Sequence, residues 1–473
     1  VDGFIGRQSE LRSLDRLLAA VKDGGRIGRP GEAVLVRGRR RVGKSRLIAE
    51  FLDRAAVPHL FFSATGGAKA DDLAGFLVEL TRSSLPDAER YGRYRTPESW
   101  DEAFTLLADN LPADTPTVIV LDEMPYLVRE DPSFEGALQK SFDRYLSSLP
   151  VLLILVGSDI AMMEQINTHG RPFYQRGTEM VVPPLNPADV AELTGLDAAD
   201  AFDAYLVSGG LPLILEGWPG GADVWAYLED ALHNPVSALL VNGERALAAE
   251  FPTEAQARQV LGAIGHGERS FTLIGRAAGD LQPTSLKRSL ELLTGRGMVA
   301  AELPVSTKPS RLVRYRVDDP YLRFWLSFIG PNIGMIERAG GSRVLETVKS
   351  AWTTWRGRAI EPVVRESLWR LADDRVPEGT EAIGGYWTRT NDPEIDLVGA
   401  DRGPVAKRIT FVGSVKWLER KPFDQRDLGR LIVHRSKLPG ADASTPLIAV
   451  SRAGCTAQGV QAFSPEDLIS AWR

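Results

Sequence analysis

Eight residues between an apolar run and an amphipathic one, Gly38-Arg39-Arg40-Arg41-Val42-Gly43-Lys44-Ser45, fit the spacing G-x-x-x-x-G-K-[ST]. Each residue type has its own reason to be there. The glycines let backbone N–H groups curl around phosphate, and the start of a helix adds partial positive charge. A lysine reaches the β and γ phosphates, and a hydroxyl ligates Mg2+. The spacing predicts a nucleotide site built from Gly38, Arg39, Arg40, Arg41, Val42 and Gly43, continuing into Lys44, Ser45 and Arg46. ATP and Mg2+ are its expected ligands, and the arginines read as mostly solvated loop.

A second motif, TVIVLDEMPYL (Thr117–Leu127), carries Asp122 and Glu123 on the end of an apolar run. In that place Asp122 would hold Mg2+ and Glu123 would act as general base on the attacking water. A third apolar run, VLLILVGS, ends at Ser158, a polar group placed to sense the γ phosphate. The stretch RPFYQR offers Arg171 and Arg176, of which Arg176 is the favoured arginine finger acting on a neighbouring subunit's ATP.

These groups need a parallel sheet to bring them together. Short apolar runs at Glu32–Gly38, His59–Ala64, Thr117–Asp122, Val151–Gly157 and Glu179–Pro183 alternate with segments of helical period. That alternation predicts an α/β fold with a parallel sheet covered on both faces. At 473 residues the chain is too long for one core, and 44% hydrophobic with 25% charged residues is the composition of a globular protein. No apolar stretch is long enough to span a membrane, and no signal peptide is visible. One cysteine, Cys455, excludes an intramolecular disulfide and, with five histidines, argues against zinc. A cytoplasmic protein without a membrane partner is expected. Net charge is −6, yet 252–318 holds ten Lys/Arg against six Asp/Glu, so that segment is +4 and the remainder −10.

FIGRQSELRSL (Phe4–Leu14), GRRRVGKSRLI, LDEMPYL, VGSDIAMM, RPFYQR and SGGLPLIL (Ser208–Leu215) occur in the order seen in archaeal-type ATPases of the AAA+/STAND branch, which the chain resembles over nearly its whole length. The resemblance implies an additional-strand P-loop NTPase fold with strand order 5-1-4-3-2, followed by a helical lid. It implies that Gly6 and Arg7 sit near the adenine, and that Gly210 and Pro212 belong to a lid closing over the base. Gln175 stands where the family commonly has glycine. An ATP-dependent homo-oligomer is implied by the trans-acting arginine. The tail resembles members carrying a DUF234-type domain, whose fold looks like the PD-(D/E)xK nucleases. The expected domains are an ATPase core at 1–190, a lid at 191–251, a winged helix at 252–330 and a nuclease-like domain at 341–473.

In the middle segment, Pro283 and Thr284 start a helix with Leu286, Leu290 and Leu293 on one face and Lys287 and Arg288 pointing outward. MVAAEL and RLVRYRV would form a wing bearing Lys308, Arg311, Arg314 and Arg316. Lys287, Arg288 and Arg314 are the expected contacts to double-stranded DNA; the alternative is a spacer or a protein-docking surface. In the tail, Glu361 on a helix, Glu394 and Asp396 on a strand, and Lys416 match a nuclease-like site. The acid expected two residues before Lys416 is Ser414. Glu361, Glu394 and Asp396 could still gather a metal, but cleavage would be weakened or lost. If the fold is merely a platform, Lys416 and Trp417 would pair with Glu394 or Asp396. Three readings follow: a DNA-associated ATPase, a regulatory switch that docks a protein partner, and an ATP-gated metal-dependent nuclease.

Overall fold

The computed structural model describes residues 4–24, 29–251, 253–267 and 269–473. The expected boundary residue Pro252 lies outside them. The chain forms two compact units, Asp2–Pro184 and Leu185–Arg473.

The first unit is a five-stranded sheet of β1 (Glu32–Arg37), β2 (His59–Ser63), β3 (Thr117–Asp122), β4 (Val151–Gly157) and β5 (Thr178–Val181). Its order is β2-β3-β4-β1-β5 and every pairing is parallel. This is the order expected of an additional-strand P-loop NTPase fold. Strands β3 and β4 are buried along their whole length, which is why they read as unbroken apolar runs rather than alternating ones. On one face Phe62, Phe76, Trp100, Phe104 and Phe134 pack edge-to-face and tilted, with ring centroids 5.2–6.1 Å apart. The helix Lys44–Ala55 follows β1 and buries Leu47, Ile48, Phe51 and Leu52 at helical spacing.

The second unit opens with four helices, Pro187–Thr194, Ala198–Ser208, Val224–His233 and Ala238–Glu250, with the one-turn Pro212–Leu215 among them. Three more, Ala255–Gly265, Phe271–Ala277 and Pro283–Gly295, precede an antiparallel pair, β6 (Val299–Glu302) and β7 (Arg314–Val317). The long helix Gly341–Arg370 then leads into β8 (Ala382–Trp387), β9 (Glu394–Ala400), β10 (Ile409–Lys416), the helix Gln425–Lys437, β11 (Leu447–Ser451) and β12 (Gln461–Phe463). Their sheet runs β12-β11-β10-β9-β8, antiparallel through β8, β9 and β10 and parallel from β10 to β12. With its helices and five strands the tail is an α/β domain with a sheet of its own.

The segments of this unit share their interiors. Ala201, Phe202 and Leu206 of the helix Ala198–Ser208 belong to the same core as Ile360, Leu397 and Phe411 of the tail. The connection 303–313 between β6 and β7 is also anchored. The Val305 amide donates to Gly385 O at 2.9 Å, Ser306 bridges Val405, and Trp387 Nε1 donates to Leu312 O at 2.9 Å. Val305 is buried in the core beneath β9 and β10. Within β8, a Cβ on Gly384 would lie 2.5 Å from the Val305 side chain, which glycine avoids.

Candidate functional site

The carboxyl ends of β1, β3 and β4 converge on one group of side chains. Gly38 follows β1, and a Cβ on it would meet Val182 O at 2.4 Å, so only glycine fits where the chain leaves the sheet. The loop turns through Arg41 at φ 66° and Gly43 at φ 90°, both left-handed. Gly43 then opens the helix Lys44–Ala55 with no side-chain cap and no acid in its first turn. Amide donors at this terminus are therefore not claimed by a capping side chain.

Lys44 is buried, and its three donors go to Gly38 O at 2.9 Å, Arg39 O at 3.0 Å and Ser158 Oγ at 2.8 Å. Ser158 in turn donates to Glu123 Oε1 at 2.7 Å. Ser45 Oγ donates to Asp122 Oδ2 at 2.8 Å, and Asp122 Oδ1 accepts the Glu123 amide at 2.9 Å. Burial lowers the Lys44 pKa, opposed by the charges of Glu123 and Asp122. Burial also raises the Asp122 carboxyl, opposed chiefly by the hydrogen bonds from Ser45 and the Glu123 amide. The result is a short polar chain, Lys44–Ser158–Glu123, beside a hydroxyl–carboxylate pair.

Gly6 and Arg7, both with positive φ, place the buried Arg7 guanidinium beneath the loop, where it donates to Val42 O at 2.8 Å and pairs with Glu10. Arg40 Nη2 donates to the Tyr126 hydroxyl at 2.9 Å. Arg41 and Arg46 are exposed, whereas Arg39 is half-buried. The structure does not bring Arg171 or Arg176 to Lys44 or Glu123 by any hydrogen bond or ion pair. Arg176 makes a two-pronged pair with Asp143 at 2.8 and 2.9 Å and also donates to Pro172 O and Tyr174 O. Arg171 pairs with the buried Glu135. Both guanidinium groups are thus engaged within their own unit. Gly210 and Pro212 belong to the second unit. A Cβ on Gly210 would lie 1.9 Å from Leu185 O, and Pro212 starts a one-turn helix.

Of the tail's predicted residues, Glu394, Asp396 and Lys416 line a cleft of about 400 Å3, together with Ser414 and Asp427, whereas Glu361 does not. Asp396 accepts from Ser414 Oγ at 3.0 Å and from the Val415 amide at 2.8 Å. Ser414 therefore acts as a donor to the acid. Arg365 pairs with Glu361 at 3.1 Å and donates from Nε to Asp396 O at 3.0 Å. Burial, with the Asp396 charge adding, pushes Glu361 up to about 7 against the nearby arginines. Among the described residues, no three His, Cys, Asp or Glu side chains are arranged to hold a metal. The expected metal trio of Glu361, Glu394 and Asp396 is not among such groups, and Glu361 and Glu394 pair with Arg365 and Arg314. Lys416 pairs with Asp427 instead of Glu394 or Asp396, and Trp417 Nε1 donates to Asp203 at 3.3 Å. Asp427 escaped sequence reasoning, although Asp424-x-x-Asp427 has capping-box spacing and does form one.

The middle segment divides the expected DNA contacts. Lys287 is 73% exposed, 3.7 Å from Glu291 on its own helix, and Arg288 is exposed beside it. Arg314 is corrected: it is 15% exposed, pairs with Glu394 at 2.6 Å and lies over the Trp387 ring at 4.5 Å. Arg316 is likewise taken, by Glu302 and Asp318 at 2.6 Å each. Lys308 and Arg311 remain exposed.

Residues 325–428 match the family model DUF234, described as archaea bacterial proteins of unknown function. The chain is 27% identical over 448 residues to "Uncharacterized protein MJECL04" of Methanocaldococcus jannaschii, covering 93% of each. Among solved structures, the Walker-type ATPase PABY2304 of Pyrococcus abyssi aligns at 20% identity and TM-score 0.47, over 68% of this chain and 96% of that one. The Aeropyrum pernix ORC2 protein, solved in ADPNP–ADP complexes, aligns at 16% identity and TM-score 0.45, over 72% and 98%.

Proposed function

We propose that the protein binds and hydrolyses ATP at the junction of β1 with the helix Lys44–Ala55. The observation carrying this reading is the chain Lys44–Ser158–Glu123 beside the Ser45–Asp122 pair, at the carboxyl edge of a parallel sheet. The amides of the loop and the uncapped helix start would take the phosphates, and Lys44 would exchange its carbonyl acceptors for phosphate oxygens. Ser45 and Asp122 offer the hard oxygen donors suited to Mg2+, which when bound would neutralise phosphate charge. Glu123 would accept the proton of the attacking water. Ser158 would hold that carboxylate while sensing the terminal phosphate.

In this reading the protein also associates with duplex DNA, through the exposed face of the helix Pro283–Gly295 that carries Lys287 and Arg288. The wing is not the DNA-directed element, because its connection is bound to β8 and Arg314 is spent on Glu394. Steady-state ATP hydrolysis with and without duplex DNA, at low and physiological salt, tests this. Stimulation that fades with salt supports DNA association. A slow rate indifferent to DNA supports the second reading, a switch that docks a protein partner. That reading is favoured by the common core shared by the lid-like helix Ala198–Ser208 and the tail. The ATP-gated nuclease has the least support, since Ser414 donates to Asp396 and no metal trio is assembled among the described residues.

A further inference from the structure

At the carboxyl edge of the first unit's sheet, two polar bridges span the same interval. In the order β2-β3-β4-β1-β5, strand β4 lies between β1 and β3. The inner bridge is Lys44–Ser158–Glu123, which runs from the loop after β1 to the end of β3 through the residue following β4. The outer bridge is a single contact. Arg40 Nη2 reaches from the same loop to the Tyr126 hydroxyl at 2.9 Å. Tyr126 lies one turn beyond Glu123, and its amide donates to Glu123 O at 2.9 Å. The Arg40 guanidinium is thus carried from β1 towards β3 alongside the inner bridge. Tyr126 is itself fixed. Its ring lies against Gly66, where a Cβ would come within 3.4–3.5 Å of the ring atoms. The Arg129 guanidinium stands 5.7 Å from the ring centroid and pairs at 3.5 Å with Asp159, the neighbour of Ser158.

Arg40 differs from the two arginines that precede β5. Arg171 and Arg176 are matched to the carboxylates of Glu135 and Asp143. Among the described residues Arg40 makes no ion pair, and the hydroxyl it reaches is neutral. Its charge also acts on Lys44. Burial is the main cause lowering the lysine pKa, Glu123 and Asp122 raise it, and Arg40 lowers it further. Two cations facing one interval repel, and an anion between them relieves the repulsion. A terminal phosphate held by Lys44 and touched by Ser158 is such an anion. A planar guanidinium suits it, because two phosphate oxygens can accept from it at once.

With the nucleotide reading above as its premise, we infer that Arg40 is a catalytic residue acting in cis on the γ phosphate, and that Tyr126 positions it. In hydrolysis the water oxygen bonds to the γ phosphorus and the proton passes to Glu123. The oxygen bridging to the β phosphate leaves with the bonding pair. Arg40 donates hydrogen bonds to the oxygens on which charge grows and gives up no proton. The cation expected from a neighbouring subunit then comes from the same chain.

Single-turnover ATP hydrolysis by the full chain, with ATP binding measured on the same samples, tests this. Arg40→Ala should bind ATP within a few-fold of native yet hydrolyse it at least about 10²-fold more slowly. It should also fail to retain ADP with aluminium fluoride, a mimic of the transferring phosphoryl group that the native chain retains. Tyr126→Phe, which keeps the ring, should slow hydrolysis several-fold without weakening binding. A mixture of Arg40→Ala with Glu123→Gln should regain no activity, since each copy lacks a group that it must supply to itself. Recovery in the mixture, a native rate in Arg40→Ala or Tyr126→Phe, or loss of ATP binding by Arg40→Ala overturns the inference while the nucleotide reading stands. Failure of the native chain to bind ATP sinks that reading, and the inference with it.

Discussion

Ser158 stands between a buried cation and a carboxylate, accepting from Lys44 and donating to Glu123. Replacing it with alanine removes both contacts while leaving the loop amides in place. The loss of a hydrogen bond to a charged group costs about 1.5–3 kcal/mol. Ser158→Ala should therefore lower the hydrolysis rate by roughly tenfold to a hundredfold, with nucleotide affinity changed far less, as read by fluorescent-nucleotide titration. At the tail, Glu361 has its pKa raised from 4.5 to about 7. The native state then holds a proton that the unfolded chain has released, so stability falls as pH rises through that window. Between pH 5 and 7.5 the native midpoint should drop more steeply than that of Glu361→Gln. Parallel curves would show that Glu361 does not titrate in this way.

At the scale of elements, long-range ionic contacts lock the second unit together. Arg356, 2% exposed, donates to Asp203, 3% exposed, at 2.7 Å across 153 residues, and Arg452 lies 3.2 Å from the same carboxylate. Removing one partner of a buried pair strands the other, at a cost of about 3–5 kcal/mol. Asp203→Ala should lose stability on that scale in urea unfolding, whereas a change within experimental error would show the set to be idle. Such pairs had no signature in the sequence, since local period and motif spacing say nothing about residues so far apart. The same holds for Val305 with Gly385. Strands β1, β3 and β4 were readable because burial on both faces leaves unbroken apolar runs. The phosphate loop was readable because its glycines and lysine answer to local geometry. The sheet order came from resemblance alone; periodicity cannot rank strands.

Across the whole molecule, charge is unevenly distributed: 252–318 is +4 while the remainder is −10. One cation of that surplus is matched by an acid outside the segment, in the pair Arg314–Glu394. The cations left outward, among them Arg276, Lys287, Arg288, Lys308 and Arg311, form a small set. Any DNA stimulation of hydrolysis should therefore have a shallow salt slope, equivalent to a few phosphate contacts. Lys287→Glu together with Arg288→Glu should abolish it and leave the basal rate unchanged. In the proposed mechanism Glu123 activates water for ATP hydrolysis on this loop. Single-turnover hydrolysis by Glu123→Gln, with nucleotide binding measured on the same sample, tests it most directly. Binding should stay within a few-fold of native while hydrolysis slows by about 10²–10⁴. A native rate in that variant would contradict it.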